Sequence, residues 1–448
     1  MRTRRPVIFA SASPGVNMIA SANHPGVLDT VRAVKSGRLT PQASIAACHA
    51  RAKALEATLH AFVDLPDLRS YCGGLGPLAG VAVGVKDLID TVELPTTYGS
   101  PIFAAHQPSA DAWIVARLRE MSATVLGKTV TTEFAWRYPG PTRNPWNLSH
   151  SPGGSSSGSA AAVASGSLPV ALGTQTMGSV LRPAAYCGIV GFKPSFGSIS
   201  RDGVHSLSGS LDHVGLFTRS VDDAAYVVSR VMGGPGARQG AAFVVDVDGL
   251  EPHWAPRIGI LPLPSSPAID PCQSDILSAA AICFQQAGAT VEDCVLPAAY
   301  TDLVSLAITL CDSEGAANFA DLVARHPDKI SSDIKALVER GTRISAIRYI
   351  NALKLQQSLR QGFTSASAPF DVVLTVPATG EAPVGLNDTG NSDLCAPWTA
   401  LGVPAISLPA GRGPNGLPLG IQLVAPYGYD LKLLRIAKWC ETALAHLS

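Results

Sequence analysis

The sequence predicts an α/β protein: a large mixed β-sheet core flanked by helices on both faces. Two observations predict it. Short runs of apolar and β-branched residues recur along the chain, separated by stretches with helical spacing. Several of these runs are apolar at every position rather than at alternate ones, which is the pattern of strands buried on both faces. The 448 residues are 46% apolar, enough for one large core or two modest ones.

The elements follow in order. Between residues 25 and 63 the spacing of Val27, Leu28, Val31 and Val34 is helical. Thr40-Pro41, a cap residue followed by proline at the first helical position, announces a second helix there. Residues 80–85 read as a buried strand, 109–121 as an amphipathic helix and 123–128 as the next buried strand. Further strand-like runs lie at 168–172, 257–261, 290–296, 372–376, 405–409 and 417–424. Residues 298–363 break the alternation, being almost wholly helical. With no internal repeat and no long linker, residues 25–448 are expected to form a single domain.

Residues 1–24 are expected to be a disordered extension. Their apolar stretch is interrupted by Pro14 and Asn17, unlike the centre of an export signal, and Met18 is an alternative beginning. Nine cysteines are spread singly, with no C-x-x-C spacing. Unpaired thiols point to a reducing, cytoplasmic setting, and no redox or metal site is expected. No apolar run is long enough to span a bilayer. The 34 Lys+Arg balance 34 Asp+Glu, so charge gives no reason to expect nucleic acid or an anionic membrane as a partner.

Two Gly/Ser segments stand out. Ser151-Pro152-Gly153-Gly154-Ser155-Ser156-Ser157-Gly158-Ser159 has the composition of a flexible linker. It nevertheless leads at once into an Ala-rich helical stretch and then a strand, which places it inside the core. There, glycine lets the backbone approach something closely. It lacks the phosphate-binding G-x-x-x-x-G-K-[ST] pattern. The second segment, Gly173-Thr174-Gln175-Thr176-Met177-Gly178-Ser179-Val180-Leu181-Arg182-Pro183, runs from a strand into a short helix. A serine at such a turn can act as a nucleophile, because successive backbone N–H groups can face a developing oxyanion. The ten histidines form no motif, so a Ser-His-Asp triad is not supported; His205 and His213 read as surface or packing residues, with a place at the border of the pocket as the alternative.

Residues 151–194, with Gly84-Val85-Lys86-Asp87 upstream, closely resemble the signature of the amidase signature family. The resemblance runs over almost the whole chain from about Pro25. It takes in Asn144-Pro145-Trp146-Asn147, the run from Cys187 to Pro194, Ser210-Leu211-Asp212, the run from Gly402 to Ile406 and the run from Gly416 to Gly420. It implies the amidase signature fold and a Ser–cis-Ser–Lys triad of Ser179, Ser155 and Lys86, with a cis Gly154–Ser155 peptide. Lys86 follows a desolvating apolar strand, so its pKa is expected to fall and the amine to serve as a neutral base through Ser155. The N–H groups of Thr176, Met177 and Gly178, and that of Ser179, would form the oxyanion hole. Ser156, Gln175 and Arg182 are expected to support these groups.

The usual family turn reads Gly-Thr-Asp-x-Gly-Gly-Ser-x-Arg. Here Gln175 stands for the acid, Met177 for the first glycine of the pair, and Arg182 lies one position later, as in one branch of the family. An arginine without its carboxylate would want another partner, and a side chain at position 177 calls for negative φ. The acyl and amine pockets are expected from residues 298–341 and 388–400, Tyr138 and the loop around Ser206, with Leu306, Ile308, Leu310, Phe319 and Trp398 as apolar walls. That lining suits hydrolysis of an uncharged aryl or alkyl amide. The alternatives are a carbamate (urethane) hydrolase, a non-catalytic binding relative and an amidotransferase subunit. The resemblance implies a small-molecule substrate, no cofactor, and a homodimer as a recurrent state of the family.

Overall fold

The buried apolar runs assemble into one sheet of eleven strands. A computed structural model describes residues 19, 24–68, 74–240, 242–251, 254–264 and 267–445. The strands are β1 (Phe62–Asp64), β2 (Ala82–Lys86), β3 (Thr124–Thr129), β4 (Val170–Gln175), β5 (Val190–Lys193), β6 (His213–Thr218), β7 (Arg257–Ile260), β8 (Thr290–Asp293), β9 (Val372–Thr375), β10 (Ala405–Arg412) and β11 (Pro418–Val424). Their order is β1-β3-β2-β4-β6-β5-β10-β11-β9-β7-β8. The sheet is mixed: β2 runs parallel to β3 and β4, and β7 to β8 and β9, while the centre is antiparallel.

The period of two along each strand divides the core. Val170, Leu172 and Leu216 face a layer that includes the helices Trp113–Glu120, Val221–Val231, Pro271–Gln286 and Asp430–Leu444. Ala171 and Phe217, one residue out of phase, face the helices Pro41–Leu59 and Ser157–Ala164. Further along the sheet, Val373, Ala405 and Val424 pack with the helices Leu303–Arg325, Ser332–Thr342 and Ala346–Ala366. These three helices fill the region expected to be helical.

Two expectations need correction. Residues 25–63 are not helical throughout: the helices are Val27–Lys35 and Pro41–Leu59, and His60, at φ 50°, turns the chain into β1. The second helix does start as expected, with Thr40 Oγ1 accepting from the Ala43 N–H at 3.2 Å. Strands β5 and β6 were not foreseen, because they carry motif residues such as Gly191, Lys193 and His213 rather than unbroken apolar runs. The expected extension at residues 1–24, save 19 and 24, and Cys72 lie outside the described residues. Among the described residues eight cysteines are free. No described helix is long and apolar enough to cross a membrane.

Candidate active site

Strands β2 and β4 are parallel neighbours, with Val85 opposite Leu172, so Lys86 and Thr174 emerge together at their C-terminal ends. Open α/β sheets place their ligand clefts at such strand ends. Lys86 is fully buried. Its Nζ donates to Ser155 Oγ at 2.7 Å and to Thr174 Oγ1 at 2.8 Å. Burial pushes the Lys86 pKa well below its ordinary value, and the negative charge of Asp212 opposes that fall. No carboxylate among the described residues comes within ion-pair distance of it.

Ser155 reaches the lysine from the first Gly/Ser segment, which is buried from Ser151 to Ser159. The Gly154–Ser155 peptide is cis. Gly153 has φ +80°, a backbone shape that favours glycine, and a Cβ there would stand 2.9 Å from the Tyr186 ring. Ser157 Oγ closes the loop on the Gly153 carbonyl at 2.7 Å. The following helix Ser157–Ala164 is buried at every position, and its small side chains let it lie close against β4. Ser159 Oγ donates to the Leu172 carbonyl at 2.8 Å. Ser156 Oγ bridges the Thr174 N–H and carbonyl at 3.3 and 3.2 Å, tying this loop to the end of β4.

Ser179 is 5% exposed and lines a cavity of about 410 Å³. The turn that carries it is held from three directions. Gln175 Oε1 accepts the N–H groups of Val180 and Leu181 at 2.9 and 3.0 Å. Thr176 Oγ1 donates to Asp212 Oδ1 at 2.6 Å, and Thr399 Oγ1 to the Met177 carbonyl at 2.8 Å. The backbone N–H groups of Met177, Gly178 and Ser179 donate to no protein acceptor among the described residues. Met177 is absent from the positive-φ residues, and its side chain packs into the core.

Arg182, also buried, answers the sequence question of its partner. Its Nη2 donates to the Gly154 carbonyl at 2.7 Å and to Thr389 Oγ1 at 3.4 Å. The arginine therefore braces the loop bearing Ser155 against the segment around Thr389.

The expected apolar walls are a correction. Leu306, Leu310, Phe319 and Trp398 are buried in the core, Ile308 is on the surface, and none lines the cavity. Its walls are mostly polar, with Asn387 to Asp393 on one side and Arg137, Asp333 and Thr176 among the rest, while Trp136, Met177 and Leu207 add apolar surface. Residues 388–393 and Leu207, next to Ser206, fall within the segments expected. Tyr138 is exposed and its neighbours Arg137 and Pro139 line the cavity in its place. His205 stacks among Tyr98, Phe134 and Phe319, and His213 is buried against Phe196, so both are packing residues. The parts that Thr174 and Thr399 play in holding Lys86 and the turn were not singled out in the sequence, where polar residues carry no periodic signal.

Comparison with known proteins agrees with the fold. The sequence profile of the Amidase family matches residues 45–434. One subunit of the glutamyl-tRNA(Gln) amidotransferase of Rhodopirellula baltica is 32% identical over 470 residues, spanning 91% of this chain and 94% of that protein. Among solved structures, 6-aminohexanoate cyclic dimer hydrolase superposes with a TM-score of 0.81 at 27% identity, covering 94% of this chain and 97% of its own. The peptide amidase of Stenotrophomonas maltophilia gives 0.78 at 28% identity, with 94% and 97% covered.

Proposed function

For a chain that belongs to the amidase signature family, we propose hydrolysis of a carboxamide C–N bond through an acyl-enzyme on Ser179. The observation that carries this reading is the buried amine of Lys86 held 2.7 Å from Ser155 Oγ, with no carboxylate at ion-pair distance among the described residues. A lysine so desolvated is neutral over a pH range where an exposed one is charged.

Neutral Lys86 takes the Ser155 hydroxyl proton as Ser155 takes that of Ser179. The Ser179 oxygen attacks the carbonyl carbon, and the negative charge that forms on the carbonyl oxygen is met by the N–H groups of Met177, Gly178 and Ser179, with Thr176 beside them. As the C–N bond breaks, Ser155 passes its proton to the leaving nitrogen and recovers one from Lys86. Water then attacks the ester carbonyl by the same relay, which releases the acid and regenerates Ser179. The polar cavity wall favours a small polar amide over the aryl or alkyl amide expected from sequence.

The test is active-site labelling. A sulfonyl fluoride or fluorophosphonate is expected to modify Ser179, with the adduct mapped by mass spectrometry and lost in Ser179→Ala. An intact protein with no adduct at Ser179 would overturn the reading in favour of a binding relative. Ammonia release from amides by the chain purified alone separates a free-standing hydrolase from an amidotransferase subunit. Including a carbamate in the same substrate screen addresses the urethanase alternative.

A further inference from the structure

The loop that anchors the oxyanion turn is itself held by a second carboxylate. Asp212 Oδ2 gathers the segment before it, accepting the Ser206 hydroxyl and the Leu207 and Ser208 N–H groups, each at 2.9 Å. Its Oδ1 accepts the Thr176 hydroxyl at 2.6 Å. From the other side Glu314, in the helix Leu303–Arg325, accepts the hydroxyl of the same Ser208 and the Ser210 N–H, the latter at 3.0 Å. Ser208 is fully buried and joins the two carboxylates: its N–H belongs to Asp212 and its hydroxyl to Glu314.

Glu314 is fixed in turn. Its Oε1 accepts the Tyr349 hydroxyl at 2.8 Å, from the helix Ala346–Ala366. One turn along from Glu314, Asn318 Nδ2 donates to the Leu207 carbonyl at 3.1 Å. Gln356 Nε2 donates to the Ser210 carbonyl at 3.2 Å. Three donors on the two oxygens of one carboxylate define its placement, and bonds to an ionised acceptor are stronger than neutral ones. The two helices therefore set where residues 206–212 lie, although neither Glu314 nor Tyr349 lines the cavity. Leu207, inside the held loop, does line it.

We propose that Glu314 is a positioning residue for amide hydrolysis: through Ser208 it fixes Asp212, and through Asp212 the Thr176 end of the oxyanion turn. This rests on the reading of Ser179 as the amidase nucleophile. It extends the site from the strand ends into the helical layer that packs beside them. The charge of Asp212 also bears on Lys86, so a displaced Asp212 disturbs the turn and the base together.

The test begins with Ser208→Ala, which removes the hydroxyl link and keeps the N–H that Asp212 accepts. We expect kcat to fall by about 3- to 10-fold, the scale of coupling inside one hydrogen-bond network, with KM little changed. Asp212 opposes the fall of the Lys86 pKa, so loosening it lets that pKa fall further. The acid limb of kcat/KM should then move to lower pH. Glu314→Ala should act in the same directions and more strongly, while Glu314→Gln, which keeps an accepting oxygen, should recover part of kcat. The deciding comparison places Ser208→Ala in an Asp212→Asn background. There the second change should leave the limb where it is and lower kcat by less than it does in the wild type. A limb that stays in place in Ser208→Ala, or effects that simply multiply in the double variant, would overturn the positioning role and leave the amidase reading standing. Where Glu314→Ala fails to fold, Ser208→Ala and Glu314→Gln carry the same test. Failure of the wild type to hydrolyse any amide, together with an unlabelled Ser179, would overturn the underlying reading instead.

Discussion

Gln175 Nε2 donates to Thr399 Oγ1 at 3.0 Å across 224 positions of sequence, and that hydroxyl donates onward to the Met177 carbonyl at 2.8 Å. With its oxygen on the Val180 and Leu181 N–H groups, Gln175 holds both sides of the turn bearing Ser179. A carboxylate in its place could accept but not donate. The glutamine thus accounts for its own departure from the usual family turn: it does the accepting that an aspartate would do and adds the link to Thr399.

Gln175→Ala would leave two buried N–H groups unpaired, at a cost of about 1–3 kcal/mol each. We expect a folded but less stable protein with kcat lowered at least roughly tenfold and KM little changed, because the turn binds the charge that develops in the transition state. Gln175→Glu keeps the accepting oxygen and loses the donor, so its kcat should lie between the two. Steady-state kinetics on any accepted amide checks this; a kcat unchanged in Gln175→Ala would refute it.

The Lys86 base links activity to stability with a definite sign. Burial lowers its pKa, so between the folded and unfolded values the unfolded chain binds a proton the folded one does not. Stability then rises with pH across that window, up to about 10.4. Lys86→Met removes this dependence, so the stability of wild type minus that of the variant should climb as pH increases. Turnover should fall by roughly 100-fold or more. Denaturant titrations at several pH values measure the first, and a flat difference would count against a depressed lysine.

Asp212 touches both halves of the machinery. Its carboxylate anchors Thr176 and accepts from Ser206 Oγ and from the Leu207 and Ser208 N–H groups, while its charge raises the pKa of Lys86. Asp212→Asn removes that charge. The acid limb of kcat/KM should move to lower pH, and kcat should drop as Thr176 loosens. A merely structural role would lower activity without moving the limb, and a pH–rate profile distinguishes the two.

Much of this site was legible in the sequence, and the boundary of legibility has a physical cause. Lys86, Ser155, Ser179 and Gln175 sit in contiguous motifs beside strands whose apolar runs reveal their burial. The cavity wall does not. Leu306, Leu310 and Phe319 recur at helical spacing, and such apolar stripes went into the core between helices rather than into a pocket. Residues 388–393 and Asp333 do lie in segments expected to border the pocket, but the apolar side chains chosen there as walls were the wrong ones, and a polar loop has no period that marks which residues face inward. Nor can sequence spacing show that Thr399 or Asp212 meets the turn at residues 175–179, since those contacts exist only once the strands are in place. Strands β5 and β6 were hidden for a related reason: glycine and polar motif residues interrupt the apolar signal that marked their neighbours.

The helix behind Ser155 supplies a test of the packing that positions it. By intrinsic propensity, Gly158→Ala should stabilise the helix Ser157–Ala164 by about 1 kcal/mol. The surroundings reverse that sign. A Cβ on Gly158 would stand 2.1 Å from the Ala61 carbonyl oxygen and 2.4 Å from the Val130 nitrogen, both backbone atoms that are hydrogen-bonded to each other. Neither can rotate away as a side chain could, so the helix must move off the β1–β3 edge or the edge must open. Overpacking of this kind costs about 1–3 kcal/mol and occasionally more, and with backbone on both sides we expect at least the upper figure. Because the displaced helix carries Ser157 and follows Ser155 directly, kcat should fall together with the denaturation midpoint. A variant as stable as wild type would show that the helix does not need its close approach to the sheet, and would remove the packing argument for how Ser155 is held against Lys86.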